Sequence, residues 1–156
     1  MNSNPNIVII QFGTNDILGL EWNKMKFIND YVKLINQFKK LNNNPKIFIN
    51  IPNPYYLNLN VNKNEEDKSE KEIMFNNIGI ILPHIINKIG KISNSTVINL
   101  FHELGDEDLS HPELITEDLI HPNDLGYDKI ANTIGSAISE DFEFLKLKSL
   151  IYSSLK

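Results

Sequence analysis

Ile7-Val8-Ile9-Ile10-Gln11-Phe12-Gly13-Thr14-Asn15-Asp16 decides how the rest of the chain is read. A run of strand length, apolar at almost every position, stops at a glycine, and two short polar side chains follow. Ile7 to Phe12 shows no period-two alternation except at Gln11, which suits a strand buried on both faces of a parallel sheet. In an open α/β sheet, ligands bind at the carboxyl ends of the strands. Asn15 and Asp16 therefore fall where chemistry is expected, and Gly13 supplies the turn that takes the backbone there.

Downstream of this stretch, Asn23 is placed to cap a helix running to about Leu41. Its apolar positions Phe27, Tyr31, Leu34, Phe38 and Leu41 step by four and three. Asn42-Asn43-Asn44-Pro45 ends it. Lys46 to Ile51 reads as a second strand and runs into Pro52-Asn53-Pro54-Tyr55-Tyr56, a stiff loop at another carboxyl end. Leu57 to Glu72 is polar and charge-dense, a solvated loop. A helical stretch follows from about Ile73 to Ile89, with Pro83 either kinking it or starting a second helix.

Thr96 to Phe101 is read as a third strand, and the loop from His102 to Pro122 carries three of the four histidines. Asn123 or Asp124 opens a last helix with Tyr127, Ile130, Ala131, Ile134 and Ile138 on one side. Glu140 to Lys156 is expected to form a further helix packed by Phe142, Leu145 and Leu150. The order β-α-β-α-β-α predicts an α/β fold with a parallel sheet and right-handed crossovers. One domain over residues 1–139 is expected, with 140–156 as a carboxyl-terminal helix or tail.

A chain of 156 residues, 41% apolar and 22% charged, has the length of one domain and enough apolar residues for a core. Its apolar runs fall far short of the ~20 residues a membrane span needs, so no membrane partner is expected. The net charge is −5 and there is no arginine. Both argue against a nucleic-acid partner, whose phosphates call for a basic patch. Cysteine is absent, which excludes disulfides, thiolate metal sites and a cysteine nucleophile. Met1 to Asn6 is polar without a basic residue, unlike a signal peptide, and the cellular compartment is left open.

A second polar block, Asp118-Leu119-Ile120-His121-Pro122-Asn123, precedes the last helix. An Asp three residues ahead of a His in a loop can accept from one ring nitrogen. That fixes the tautomer and leaves the other nitrogen as a general base. An Asn at a strand end can aim its amide at a developing oxyanion, a contact worth ~3 kcal/mol in the transition state. Taken singly, each block has a plainer explanation: a glycine turn with Asx-type caps, and a surface pair before a capped helix.

Together, in this order and at these places, the blocks resemble those of the SGNH (GDSL-type) ester hydrolases. Gly13-Thr14-Asn15-Asp16 resembles that family's Gly-x-Asn-Asp, and Asp118-Leu119-Ile120-His121 its Asp-x-x-His. Trp22, Pro52-Asn53-Pro54 and His111-Pro112-Glu113-Leu114 are similar to carbohydrate O-acetylesterase-like members, the sialate O-acetylesterases included. The resemblance spans about Pro5 to Ile138 and implies a flavodoxin-like three-layer α/β/α fold. It implies Asn15 as oxyanion-hole donor, His121 as general base and acid, and Asp118 as its orienting partner. Gly13, Thr14, Asp16, Pro52 and His111 are implied to line the site. The implied reaction is acyl transfer through a serine, on an ester of a small molecule or carbohydrate, with no cofactor and no metal.

The family's nucleophile belongs to a Gly-Asp-Ser block upstream of Gly-x-Asn-Asp, and Gly-Asp-Ser does not occur in this sequence. Ser3 precedes the first strand, and Ser110 lies on a loop without the strand-to-helix turn that presents a nucleophile. In the strand order 2-1-3-4-5 the chain would supply strands 3, 4 and 5. About three strands are thus expected, with the edge of Ile7 to Phe12 open for pairing. The expectation is the carboxyl-terminal part of an esterase, truncated at its amino terminus and inactive alone, and a truncated gene model is favoured over a true remnant. One alternative is a non-catalytic glycan-binding or structural remnant. The other is a metal-dependent hydrolase recruiting Asp16, His111, Asp118 and His121, which no paired histidine spacing supports.

Overall fold

Lys46–Ile51 (β2) is the middle of a three-stranded parallel sheet, flanked by Ile7–Ile10 (β1) and Thr96–Asn99 (β3). The computed structural model describes residues 4–18, 22–55, 77–106 and 110–154, the side chains of 148–154 excepted. The helices are α1 (Thr14–Ile17), α2 (Lys24–Lys39), α3 (Leu82–Ser93), α4 (Leu100–Glu103) and α5 (Asp124–Ser154). Ile7 stands opposite Lys46 in the register, and Phe48 opposite Thr96.

The alternation of β2 builds the layers. Ile47, Ile49 and Ile51 enter a core with Ile28, Tyr31 and Ile35 of α2 and Ile85, Ile86 and Ile89 of α3. Phe48 points the other way, into a core with Ile98, Leu100 and Leu104 that Ile130 and Ile134 of α5 help to cover. Each such side chain gains about 1.5–3 kcal/mol from burial. The result is a parallel sheet, as the element order predicts, in the three-layer α/β/α arrangement that the resemblance implies.

β1 differs from expectation. Ile10 is buried, but Ile7 and Val8 are half-buried, Ile9 is 44% exposed and Phe12 is 54% exposed. Among the described residues no strand pairs with the outer edge of β1. Val8 and Ile10 pack on the core shared with α2 and α3 and Ile7 on the opposite core, but Ile9 stays exposed, so full burial on both faces is not reached.

Asn23 caps α2 as read, its Oδ1 accepting from the Lys26 N–H at 2.9 Å. The buried stripe, Ile28-Tyr31-Ile35, keeps the three-four spacing but is rotated from the expected one. Phe27, Leu34 and Phe38 flank it half-buried. Leu57 to Glu72 and the first residues of the expected next helix lie outside the described residues. Where description resumes, one π-helical turn, Asn77–Ile81, leads into α3, and Pro83 sits in the first turn of α3. Of the two readings of Pro83, the structure adopts the helix start. There the missing N–H costs nothing.

β3 stops at Asn99, two residues short of the expected end. The Asn99 Oδ1 accepts from the His102 N–H at 3.1 Å and turns Leu100 and Phe101 into buried residues of α4. The two expected final helices are one, since α5 runs unbroken through 139 and 140. No glycine or proline follows Gly135 to interrupt it. Ile130, Ile134 and Ile138 meet the sheet, but Tyr127 and Ala131 are exposed. Phe142 and Leu145, expected to pack, are exposed as well, and the side chain of Leu150 is outside the described set. Lys46 pairs with Asp141 at 2.8 Å, tying the middle of α5 to the start of β2. Among the described residues no helix is long and apolar enough to cross a membrane.

Candidate active site

Gly13 ends the first strand segment with φ 123°, a conformation L side chains avoid, and its carbonyl accepts the Ile17 N–H at 2.9 Å. A Cβ there would also stand 2.6 Å from Leu82 Cδ1. The turn carries Asn15 and Asp16 onto α1, both exposed, with Thr14 half-buried behind them. A hollow of about 320 Å³ opens beside Asn15 and Asp16, walled by Trp22, Asn23, Lys26 and Phe27. A smaller one of about 210 Å³ shares Asp16, Phe27 and Asp30 with it and reaches Phe12 and Tyr31. Tyr31 meets both phenylalanines edge-on, at ring separations of 6.0 and 5.6 Å. Its hydroxyl donates to the Ile10 carbonyl at 3.3 Å, and burial pushes its pKa up. The indole Nε1 of Trp22 is buried with no acceptor among the described residues.

The second block forms a closed loop. Ile115 and Pro122 make an antiparallel bridge, the Thr116 N–H donates to the His121 carbonyl at 2.8 Å, and the Leu119 N–H donates to the Thr116 carbonyl at 3.0 Å. Leu119 takes a left-handed φ of 64° at the turn, which costs a non-glycine residue about 1 kcal/mol or more. Asp118 occupies the centre. Its Oδ1 accepts from the Ile120 and His121 backbone N–H groups at 2.8 and 2.9 Å and from the Thr116 hydroxyl. Its Oδ2 lies 2.6 Å from His121 Nδ1. The Thr116 hydroxyl first, then the His121 ring and the two N–H groups, hold the Asp118 carboxyl well below the usual carboxylate range.

A carboxylate can only accept, so His121 Nδ1 carries a proton, and in the neutral ring Nε2 keeps a lone pair. His121 is 68% exposed on its side chain, so that lone pair faces a solvent-accessible surface. Asn123 fixes the loop to α5. Its Oδ1 caps the helix by accepting from the Gly126 N–H at 3.0 Å, while its Nδ2 donates to the Glu113 and Ile115 carbonyls at 2.8 and 3.2 Å.

Asp118 and His121 are thus brought together. Asn15 stands at the end of a different strand, and the hollow beside it is not walled by His121. Pro52 is buried and backs the end of β2 rather than offering a surface. His111 is exposed, and its Nδ1 lies 3.0 Å from Glu113 Oε1. The main chain at Glu113 and the His111 ring lower the Glu113 pKa. Ser110 bonds through its N–H to the Gly105 carbonyl at 3.1 Å, and Ser3 lies outside the described residues. No group of three or more His, Asp or Glu side chains among the described residues could hold a metal ion, so Asp16, His111, Asp118 and His121 do not assemble as a ligand set.

The sequence reading quoted Asn53 within its motif without giving it a role, and did not single out Asn50. Asn53, just past β2, donates through Nδ2 to the Ile120 carbonyl at 3.0 Å. Asn50, within β2, is 2% exposed and donates to Gln11 Oε1 at 3.2 Å, while its own Oδ1 has no partner among the described residues. Tyr55 lies close enough that burial first, and the Asp118 charge second, raise its pKa.

Residues 2–129 match the GDSL-like lipase/acylhydrolase family. No curated protein matches the chain. Among solved structures the chain is similar to a GDSL-like lipase from Bacteroides thetaiotaomicron, at 21% identity and a TM-score of 0.63 over 88% of this chain and 63% of that one. It is also similar to a catalytic mutant of an acetylxylan esterase from Geobacillus stearothermophilus, at 17% identity and a TM-score of 0.58 over 86% and 60%. A carbohydrate esterase family 3 protein from Talaromyces cellulolyticus aligns at 20% identity with a TM-score of 0.55, over 89% and 59%. At these identities the likeness is one of fold. The chain spans about three-fifths of the length of these structures.

Proposed function

The chain belongs to the GDSL-like lipase/acylhydrolase family, and from that premise we propose that it carries the acid–base half of a serine esterase that removes acetyl groups from a carbohydrate. The observation that carries this reading is the 2.6 Å contact between His121 Nδ1 and an Asp118 carboxylate already committed to its ionised form. In that pair, Nε2 of His121 takes the proton of the attacking serine hydroxyl. The serine oxygen bonds to the ester carbonyl carbon and the carbonyl electrons move to oxygen. The Asn15 side-chain amide donates to that oxyanion. Collapse expels the alcohol, which takes the proton from His121, and an acyl-enzyme remains. Water then repeats the sequence, and acetate leaves.

The serine is the part this sequence does not provide in a Gly-Asp-Ser block. The outer edge of β1, with Ile9 exposed beside it, is where a further parallel strand would pair and present that serine. A polyol leaving group suits the hollow at Asn15, where Trp22 and Phe27 offer rings and Asp16, Asn23 and Lys26 offer hydrogen bonds. An acetylxylan esterase and a carbohydrate esterase among the fold's relatives agree with it.

The test is acetate release from p-nitrophenyl acetate and from acetylated oligosaccharides, by this chain and by a form extended upstream in frame. The chain alone is expected at background, because loss of the serine from such a triad costs on the order of 10⁶ in turnover. The extended form is expected to show serine-dependent turnover. Rapid hydrolysis by the chain alone would refute the externally supplied nucleophile.

A further inference from the structure

We propose that Asn53 is a positioning residue, setting His121 from the end of β2 by holding the carbonyl of Ile120. Its catalytic meaning rests on the ester-hydrolase reading above, while its geometry does not.

The Asn53 Nδ2 stands 3.0 Å from the Ile120 carbonyl oxygen and 3.2 Å from that of Pro54, so both amide hydrogens have an acceptor. Pro52 and Pro54, both buried, flank Asn53. A proline ring fixes φ, so the donor leaves the strand end on a stiff backbone. The acceptor is equally well placed. The Ile120 carbonyl belongs to the peptide whose other end is the His121 N–H, and that N–H donates to Asp118 Oδ1 at 2.9 Å. Holding the carbonyl fixes the plane of this peptide. The plane fixes the bond to Asp118, and Asp118 fixes the ring through Nδ1 at 2.6 Å. The turn needs such an anchor because Leu119, one residue earlier, is held at a φ of 64°.

Among the described residues, the other hydrogen bonds of residues 116–121 run within the loop, Asn123 ties its end to α5, and Ile115 and Leu119 pack on the core around Phe48. The Asn53 bond connects the histidine to the central strand, which is the element with both faces buried. Asn53 touches no reacting atom in this scheme and acts only through the Ile120–His121 peptide.

The test uses isotope-labelled chain in solution. In the unaltered chain, a scalar coupling across the hydrogen bond between Asn53 Nδ2 and the Ile120 carbonyl carbon is expected. Asn53→Ala and the equally shaped Asn53→Asp, which replaces the donor with an acceptor, should then both raise the Asp118 carboxyl titration midpoint toward the ordinary value. Both should also broaden the downfield His121 Nδ1–H resonance, with helix and strand content unchanged. Tyr31→Phe, which loses a hydrogen bond in the core, is the comparison for stability alone and should move neither signal.

Absence of the coupling, or unchanged Asp118 and His121 signals in either folded variant, overturns the proposal. A form extended upstream in frame that carries a serine and is still inert toward every acetyl ester, while the Asn53-dependent changes persist, upholds the clamp and refutes only the esterase reading.

Discussion

Asp118 is an exposed carboxylate that behaves as an interior one, because a hydroxyl, an imidazole and two backbone N–H groups spend themselves on it. Its folded pKa lies below the ordinary value of 3.8. Its contribution to holding the loop is therefore fully present above about pH 4, where the unfolded chain is also ionised, and is lost as pH falls through the lower folded value. The Asp118 carboxyl should stay ionised from pH 7 to 4 and take up its proton only below that, as read from infrared absorption of its isotope-edited carboxyl. Protonation of that carboxyl above pH 4 would contradict this assignment.

Asp118→Asn keeps the shape but offers His121 an amide, so the ring loses its reason to carry the proton on Nδ1. In the serine-bearing enzyme kcat should fall by about 10⁴. Asn15→Ala should cost about 10²–10³ in kcat, with the Asp118 signals untouched. Asp118 and His121 are legible in the sequence because their spacing is itself the geometry. The role of Asn53 is not legible, since its partner is a main-chain carbonyl and every residue has one. Nor does leucine announce the left-handed turn it makes at position 119.

At the scale of elements, the loop depends on how closely α5 begins against it. A Cβ on Gly126 would lie 2.1 Å from the Leu114 carbonyl oxygen and 2.8 Å from Pro122 Cβ. Gly126→Ala should push the first turn of α5 off the Pro112–Leu114 turn. That should lower stability by about 1–3 kcal/mol in urea unfolding and disturb the His121–Asp118 resonances. Ile49→Ala removes a fully buried side chain instead. It should cost about 2–5 kcal/mol without that local signature. The limits of β2 were readable because Pro45 and Pro52 bracket a short segment dominated by Ile47, Phe48, Ile49 and Ile51. The end of β3 was not, because Leu100 and Phe101 look the same in a strand as in a buried helical turn, and only the cap at Asn99 separates the two. The merging of the last two helices was hidden by exposed Phe142 and Leu145, whose apolar character suggested a packed face of their own.

For the molecule as a whole, the sheet is paired on both sides only at β2; among the described residues β1 and β3 each keep one unpaired edge. The edge of β1 has Ile9 and Phe12 exposed near it, and free apolar edges invite pairing. The chain should self-associate with rising concentration in sedimentation, and Ile9→Lys should suppress that association while leaving the far-ultraviolet spectrum unchanged. The long last helix carries a different consequence. At 31 residues α5 spans about 46 Å, more than twice the length of any strand here. Its first half is held by the sheet face up to the Lys46–Asp141 pair, and Phe142, Phe144, Leu145 and Leu147 beyond that pair are exposed. One continuous rod is thus two regimes of protection: amide deuterium uptake should be slow as far as Asp141 and accelerate turn by turn after it. The boundary of the cooperative unit falls inside a helix, at an ion pair, rather than in a linker.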